Sequence, residues 1–250
     1  MDAALAALVF APGLALGSFL NVVAARLPER RSLVHPRSAC PHCGKEIAWY
    51  DNVPLLSYAL LRGRCRHCSE PIGLRYPAVE LATGLLVAAC FFRFGFTGEA
   101  FVASLFAATL VVLSAIDVER RILPDLIVLP ATVIVLAANI ALFPDRTLEL
   151  VLASLGAALF LFVALLAYPR GMGMGDVKLC LLLGAGLGKV VTVGMMVGML
   201  AAVAASAVLF ARHGIAARKM YIPFGPFLAF GALVALFWGE ALLDAYLALF

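Results

Sequence analysis

Charge is scarce in this sequence: Asp, Glu, Lys and Arg make up 14% of its 250 residues against 64% hydrophobic, and the mean hydropathy is +1.03. Soluble domains carry about 25% charged residues, so this composition excludes an ordinary water-soluble fold and points to a chain whose solvent is a bilayer. A basic cluster ahead of the first apolar run is also missing. Asp2 stands there instead, and the run continues into the polar "GSFLNVV", which argues against a cleaved signal peptide and for a retained span. No internal repeat of the kind that builds many transporters is evident, and nucleic acid is not expected as a partner.

What is present is a succession of apolar runs. A crossing needs roughly 20 residues, and about eight are expected, near 3–25, 77–95, 100–116, 124–143, 147–168, 177–189, 190–211 and 222–247. The expected fold is an all-α polytopic membrane protein of about eight transmembrane helices, with a small cytoplasmic zinc-binding loop domain between the first two. The segment Leu179 to Phe210 is too long for one crossing and short for two. Basic loops at both of its ends demand an even number of passes, so two short Gly-rich segments broken near "GLGKVV", or a re-entrant pair, are expected there.

Loop charge sets the orientation. Arg26, Arg30, Arg31, Arg37, Lys45, Arg62, Arg64, Arg66 and Arg75 crowd the first loop; Arg120–Arg121, Arg170 with Lys178, and Arg212 with Arg218 and Lys219 mark three more. The connections "GFTGEA" and "FPDRTLE" are short and nearly neutral. By the positive-inside rule the four basic loops are cytoplasmic and both termini lie outside.

The first loop carries the pattern C-x2-C-x21-C-x2-C, formed by Cys40, Cys43, Cys65 and Cys68. Two close pairs on tight turns such as "CPHCG" suit a tetrahedron of thiolates around Zn²⁺. A cytoplasmic loop is kept reduced, which disfavours disulfides, and a loop this small has too little core to fold unaided. With four protein ligands no position is left for substrate, so the metal is expected to be structural. His42 and His67, in the middle of each pair, are expected to face solvent. Cys90 and Cys180 fall inside spans and read as packing residues.

A carboxylate near the bilayer interior costs about 2.5–3.5 kcal/mol even on lenient scales, so acids there need a reason. Asp117 closes the third span in "SAIDVERRILPDLIVLP", Asp125 opens the fourth after Pro124, and Asp176 opens the sixth in "GMGMGDVK". Topology puts Asp117 and Asp176 at similar depth on one side. Paired carboxylates make an acid/base dyad, because like charges close together cannot both ionise: one polarises a carbonyl while the other activates water. Gly173 and Gly175 permit close backbone approach beside Asp176. The same residues also fit a plainer role: acids at a helix N-terminus are favoured by the dipole, and Asp117 has Arg120 and Arg121 nearby. Residue chemistry alone leaves a hydrolase, a proton-coupled transporter and a structural ion-pair site open. A second polar group, Gly17 and Asn21 on one face of the first span with Arg75 and Glu80 at the start of the second, would make a niche for a small charged molecule, or mere helix packing and snorkelling.

Five pieces, "GSFLNVVAARLP", "CPHCG…CRHC", "RYPAVELATG", "IDVERRILPD" and "GMGDVK", occur in the order found in one family. In these, over most of its length, the chain resembles the bacterial type IV prepilin peptidases, leader peptidases bifunctional with an N-methyltransferase. The resemblance implies an intramembrane aspartic protease of the G-x-G-D type with Asp117 and Asp176 as catalytic pair, and Asp125, Gly173, Gly175 and Lys178 in support. It implies cleavage after glycine of the short basic leader of type IV prepilins and type II secretion pseudopilins at the cytoplasmic face of the bacterial inner membrane. It further implies methylation of the new amino group from S-adenosylmethionine, with Asn21, Arg75, Glu80 and Gly84 as candidates for holding the methyl donor. The expected division is 1–99 for the methyltransferase-associated span, four-Cys loop and second span, and 100–250 for the peptidase. Against a transporter stand the missing repeat and the position of both acids near one face, not at the midplane. A membrane scaffold displaying a zinc knuckle would leave the acids unexplained, and the intact cysteine loop argues against a peptidase without methyltransferase.

Overall fold

The computed structural model describes residues 3–168, 172–214 and 222–248; Asp2, Gly171 and the basic-loop residues Arg170, Arg218 and Lys219 lie outside the described residues. The helices are α1 (Ala3–Arg26), α2 (Leu56–Leu60), α3 (Arg75–Phe94), α4 (Gly98–Arg120), α5 (Asp125–Leu142), α6 (Thr147–Ala167), α7 (Met174–Leu187), α8 (Val191–His213) and α9 (Gly225–Leu247). All but α2 coincide with the expected apolar runs. Among the described residues there is no named strand, only the isolated bridges Ala39↔Glu46 and Arg64↔Pro71.

Among the described residues seven stretches are long and apolar enough to span a membrane, and one of them, Met174–His213, has 40 residues. At 1.5 Å per residue that is about 60 Å of helix, twice the roughly 30 Å hydrocarbon core. It is interrupted by a 3-10 turn at Gly188–Val190, with Gly188 at φ 59°. The break falls in "GLGKVV", where the sequence predicts it, and separates the short α7 of 14 residues from α8. The structure is therefore a multi-pass helical membrane protein. Its α6 shows why: Leu148, Leu152, Leu155, Leu159, Val163 and Leu166 are exposed in a stripe at helical spacing, a surface suited to lipid tails and not to water.

The chain divides into two compact units, Met1–Ala115 and Ile116–Phe250. In the first, α1 and α3 pack antiparallel along a ladder of contacts: Gly13 meets Gly84, Gly17 meets Glu80, and Asn21 donates from Nδ2 to the Tyr76 carbonyl at 3.0 Å. A Cβ on Gly17 would come within 2.7 Å of the Glu80 Cα, so only glycine allows this approach. Close backbone contact is what drives helix pairing where lipid removes the hydrophobic incentive. Below the ladder, Val9, Val87, Phe91 and Ala100 form an apolar cluster, and Phe101 meets Phe91 edge-on at 4.9 Å.

In the second unit, α7 is held on both sides through its carbonyls. Asn139 of α5 donates to Ala185 O at 2.9 Å, and Ser154 of α6 donates to Leu181 O at 2.7 Å. At the α7–α8 turn, Glu149 accepts from Arg146 at 2.8 Å and from the Lys189 N–H at 2.9 Å.

Candidate active site and metal centre

The helix ends differ from the expected ones in a way that matters for the acids. The third span runs one turn past 116, so Asp117 lies within α4; the sixth begins at Met174, ahead of 177, so Asp176 sits in the first turn of α7. Asp117 is 6% exposed, and its Oδ2 accepts the backbone N–H of Gly225, the first residue of α9, at 3.0 Å. Asp176 is partly buried, and its Oδ2 accepts the Gly173 N–H at 3.3 Å while its own N–H donates to Gly173 O at 3.1 Å. This is half of a capping box, since glycine has no side chain to return the bond. Asp176 thus does serve the helix end, as the plainer reading expects. It also lies close enough to Asp117 for their charges to interact.

Leu123 packs against Gly175, next to Asp176, and against Gly225, the donor to Asp117. A Cβ on Gly175 would sit 3.1 Å from Leu123 Cβ, and one on Gly225 would sit 3.4 Å from Leu123 Cδ2. Asp125 is exposed and pairs with Lys178 through both oxygens at 2.8 and 2.7 Å, tying the start of α5 to the start of α7. Sequence reasoning misses Gly225 and Leu123. The only available signal for Gly225 is the Gly-Pro pair in "FGPF", a common helix opening that says nothing of a partner 108 residues away.

The residues Asn21, Arg75, Glu80 and Gly84 gather on the α1–α3 ladder and the start of α3. Asn21 and Glu80 occupy adjacent rungs without bonding each other: Glu80 Oε2 accepts the Leu55 N–H at 2.9 Å, and Asn21 Oδ1 is buried with no partner among the described residues. Arg75 lies 6.0 Å from the centre of the Tyr76 ring. Gly84 is occupied by packing, since a Cβ there would lie 2.7 Å from Leu14 Cδ2 and 2.9 Å from Phe10 Cε2.

The four cysteines of the first loop form a compact centre. None is in a disulfide. Two turns of the same build carry them: Cys40 N–H bonds Lys45 O and Gly44 N–H bonds Cys40 O, and 25 residues on, Cys65 N–H bonds Glu70 O and Ser69 N–H bonds Cys65 O. Gly44 and Ser69 take the matching left-handed conformation, at φ 69° and 59°. All four Sγ atoms lie within 4.8 Å of one another, and Cys40 Sγ is 3.7 Å from Cys68 Sγ. A zinc–thiolate tetrahedron with bonds of about 2.3 Å has S···S edges of about 3.8 Å, so the set fits a metal such as zinc.

Their acidities agree with that fit. The backbone N–H groups of Cys68 and His67 hold the Cys65 thiol down to about 6. At Cys68 the Glu70 N–H pulls the same way, yet desolvation and the three neighbouring sulfurs push it up to about 12. Four crowded sulfurs cannot all be anionic without a cation among them. His42 and His67 are exposed and outside the cluster, and Cys90 and Cys180 are fully buried.

A polytopic helical protein with one acid in the last turn of α4, another in the first turn of α7, and a four-thiol module beside its first two spans, is the class defined so far. Residues 12–94 match the Bacterial Peptidase A24 N-terminal domain and residues 104–215 match the Type IV leader peptidase family. Proteins named prepilin leader peptidase/N-methyltransferase are similar over nearly the whole chain. The one from Burkholderia pseudomallei is 39% identical over 91% of this chain and 83% of its own length. That of Pseudomonas aeruginosa is 38% identical over 94% and 91%, and that of Bacillus subtilis 32% over 96% and 97%. No solved structure matches. The chain belongs to the type IV leader peptidase family.

Proposed function

We propose that this chain is an intramembrane aspartic endopeptidase that removes the basic leader of type IV prepilins and type II pseudopilins after glycine, and then methylates the new N-terminus. The observation that supports the reading is that Asp117, in the last turn of α4, and Asp176, in the first turn of α7, are near enough for their charges to interact, in a chain whose relatives bear that name. Two neighbouring carboxylates hold one proton between them. The ionised one takes a proton from water as it attacks the scissile carbonyl, and the protonated one donates to the carbonyl oxygen. The tetrahedral intermediate then collapses: the aspartate that took the water proton passes it to the leaving amine, the other takes a proton back from the gem-diol, and no covalent adduct forms. The Gly225 N–H fixes the orientation of Asp117, the Gly173 N–H that of Asp176, and the Asp125–Lys178 pair braces the helix starts that carry them.

Cleavage is assigned to residues 100–250 and methyl transfer to 1–99. S-adenosylmethionine supplies the methyl group, and the niche of Asn21, Arg75 and Glu80 suits it. Asn21 offers a buried acceptor still without a partner among the described residues, and Glu80 a carboxylate for a cationic ligand. Gly84 offers no ligand atom and shapes the niche only through packing. A zinc held by Cys40, Cys43, Cys65 and Cys68 would support this region and perform no chemistry, since four protein ligands leave no open position. The basic loops favour a site at the cytoplasmic face of the bacterial inner membrane, with both termini outside. The paired acids at one face, with relatives named as peptidases, disfavour proton-coupled transport.

The test is mass spectrometry of a prepilin incubated in lipid with the purified protein and S-adenosylmethionine, beside Asp117→Asn and Asp176→Asn. Loss of the leader plus one methyl mass is expected from the parent, and an intact prepilin from both variants. Full cleavage by either variant would remove that residue from the mechanism.

A further inference from the structure

The loop between α1 and α3 exposes large apolar side chains in one short segment: Trp49 is 83% exposed, Leu60 74% and Leu56 57%. Leu56 and Leu60 are four apart on α2 and so share a face. The segment is held firmly, not left to wander. Asp51 takes the Arg66 guanidinium through both oxygens, with Nε at 2.7 Å, and Ser57 donates to Tyr50 O at 2.8 Å. Arg66 lies 5.6 Å from the centre of the Tyr50 ring, and Trp49 meets that ring edge-on at 5.7 Å. A fixed display of Trp, Tyr and Leu marks a surface that meets something other than water.

Its height relative to the bilayer follows from one bond. The Leu55 N–H donates to the Glu80 carboxylate at 2.9 Å, and Glu80 lies in the second turn of α3, five residues after the span begins at Arg75. That is about 7.5 Å along the helix axis. The start of α2 is thereby tied to the level at which α3 enters the membrane. Leu55 pays for this with φ 58°, in a γ-turn closed by Leu56 N–H to Pro54 O at 2.6 Å, a conformation an L-residue takes only under constraint. Charge identifies what lies alongside. Residues 26–75 hold nine basic and four acidic side chains. Arg62 and Arg64 follow directly on α2 and are exposed. Such a surface attracts anionic headgroups.

We propose that residues 49–60 are an interfacial anchor, with Trp49, Leu56 and Leu60 entering the headgroup region of an anionic phospholipid leaflet while Arg62 and Arg64 meet its phosphates. Tryptophan and tyrosine favour this layer because each has an apolar body and a polar edge. Trapped between two spans, the four-thiol module is then held flat against the membrane by its own surface. The proposal rests on α1 and α3 as membrane spans and is independent of which reaction the chain catalyses.

The chain has two tryptophans, Trp49 and Trp238, so each can be isolated as a reporter. Trp238→Phe leaves Trp49 alone; Trp49→Phe leaves Trp238, which is 61% exposed on the spanning helix α9 and serves as the lipid-facing control. The full protein is placed in vesicles containing lipids brominated near the headgroup or at mid-chain, with and without phosphatidylglycerol. Expected for Trp49 are blue-shifted emission, stronger quenching by the shallow bromine than by the deep one, and a gain with anionic lipid that high salt reduces. Leu56→Ser with Leu60→Ser should lower that quenching while the Trp238 signal is unchanged. Water-like Trp49 emission without lipid quenching, alongside a quenched Trp238, overturns the proposal. So does undiminished Trp49 quenching in the double serine variant. A Trp49 response that arises only on adding prepilin overturns it as well, in favour of a protein-docking surface.

Discussion

Gly225→Ala is the sharpest probe of the proposed dyad, because Gly225 is not titratable and acts on Asp117 only through its backbone N–H and the space it leaves. A Cβ at this position would lie 2.7 Å from Asp117 Oδ2 and 3.3 Å from its Cγ. Carbon and oxygen rest at roughly 3.3 Å or more, so the carboxylate or the start of α9 must shift by about 0.6 Å. That shift strains a charge-assisted bond of 3.0 Å. Losing such a bond costs about 1.5–3 kcal/mol, and about 1.4 kcal/mol is a factor of ten in rate. Misplacing a reacting group by about 1 Å can cost about a hundredfold. Both routes give a fall in kcat of about 10- to 100-fold. Because alanine is the better helix former by about 1 kcal/mol, a general loss of stability does not follow from the substitution itself. The assay is initial-rate cleavage of prepilin in lipid, with zinc content and thermal unfolding measured on the same samples. A parent-like kcat in a folded Gly225→Ala protein would refute the placement of Asp117 in the reaction.

Three further outcomes are expected. Cys40→Ser should reduce bound zinc below one per chain and expose the first loop to protease; stoichiometric metal with normal activity would refute the ligand assignment. In chelated protein, Cys65 should be the first thiol alkylated by iodoacetamide, because the Cys68 and His67 N–H groups hold its ionisation at about 6. Its thiolate is present above that pH and lost as pH falls through it, so the rate should drop below about 6, and added zinc should protect at neutral pH; a rate that begins to rise only near the ordinary thiol range would contradict this. Lys178→Met breaks the ion pair with Asp125, whose side chains are 31% and 55% exposed. Screened to that degree, it is worth at most about 1 kcal/mol, so a small fall in unfolding temperature is expected and a collapse of the fold would show the pair matters more.

Sequence by itself determined the spans and the module of four cysteines and drew attention to the two acids, because each is written in local terms. Twenty apolar residues cross a bilayer whatever surrounds them, and two C-x2-C turns offer thiolates from either end of a short loop. An acid beside a span is costly enough to be noticed alone. Even the break before α8 was legible, since glycine and lysine interrupt the hydrophobic run there. Helix ends were less so: Asp117 lies in the last turn of α4 and Asp176 in the first turn of α7, not beyond the helix ends, as hydropathy fades before hydrogen bonding does. Only the tertiary structure decided the partners. That Gly225 offers its N–H to Asp117, that Leu123 packs beside both Gly175 and Gly225, that Asp125 meets Lys178, and that Glu80 holds Leu55 and not Asn21 are pairings between distant segments. Periodicity gives the face on which a residue lies. It does not give which atom of another helix fills the space opposite, because that depends on how the backbones approach, here at glycines where a single added carbon would force them apart.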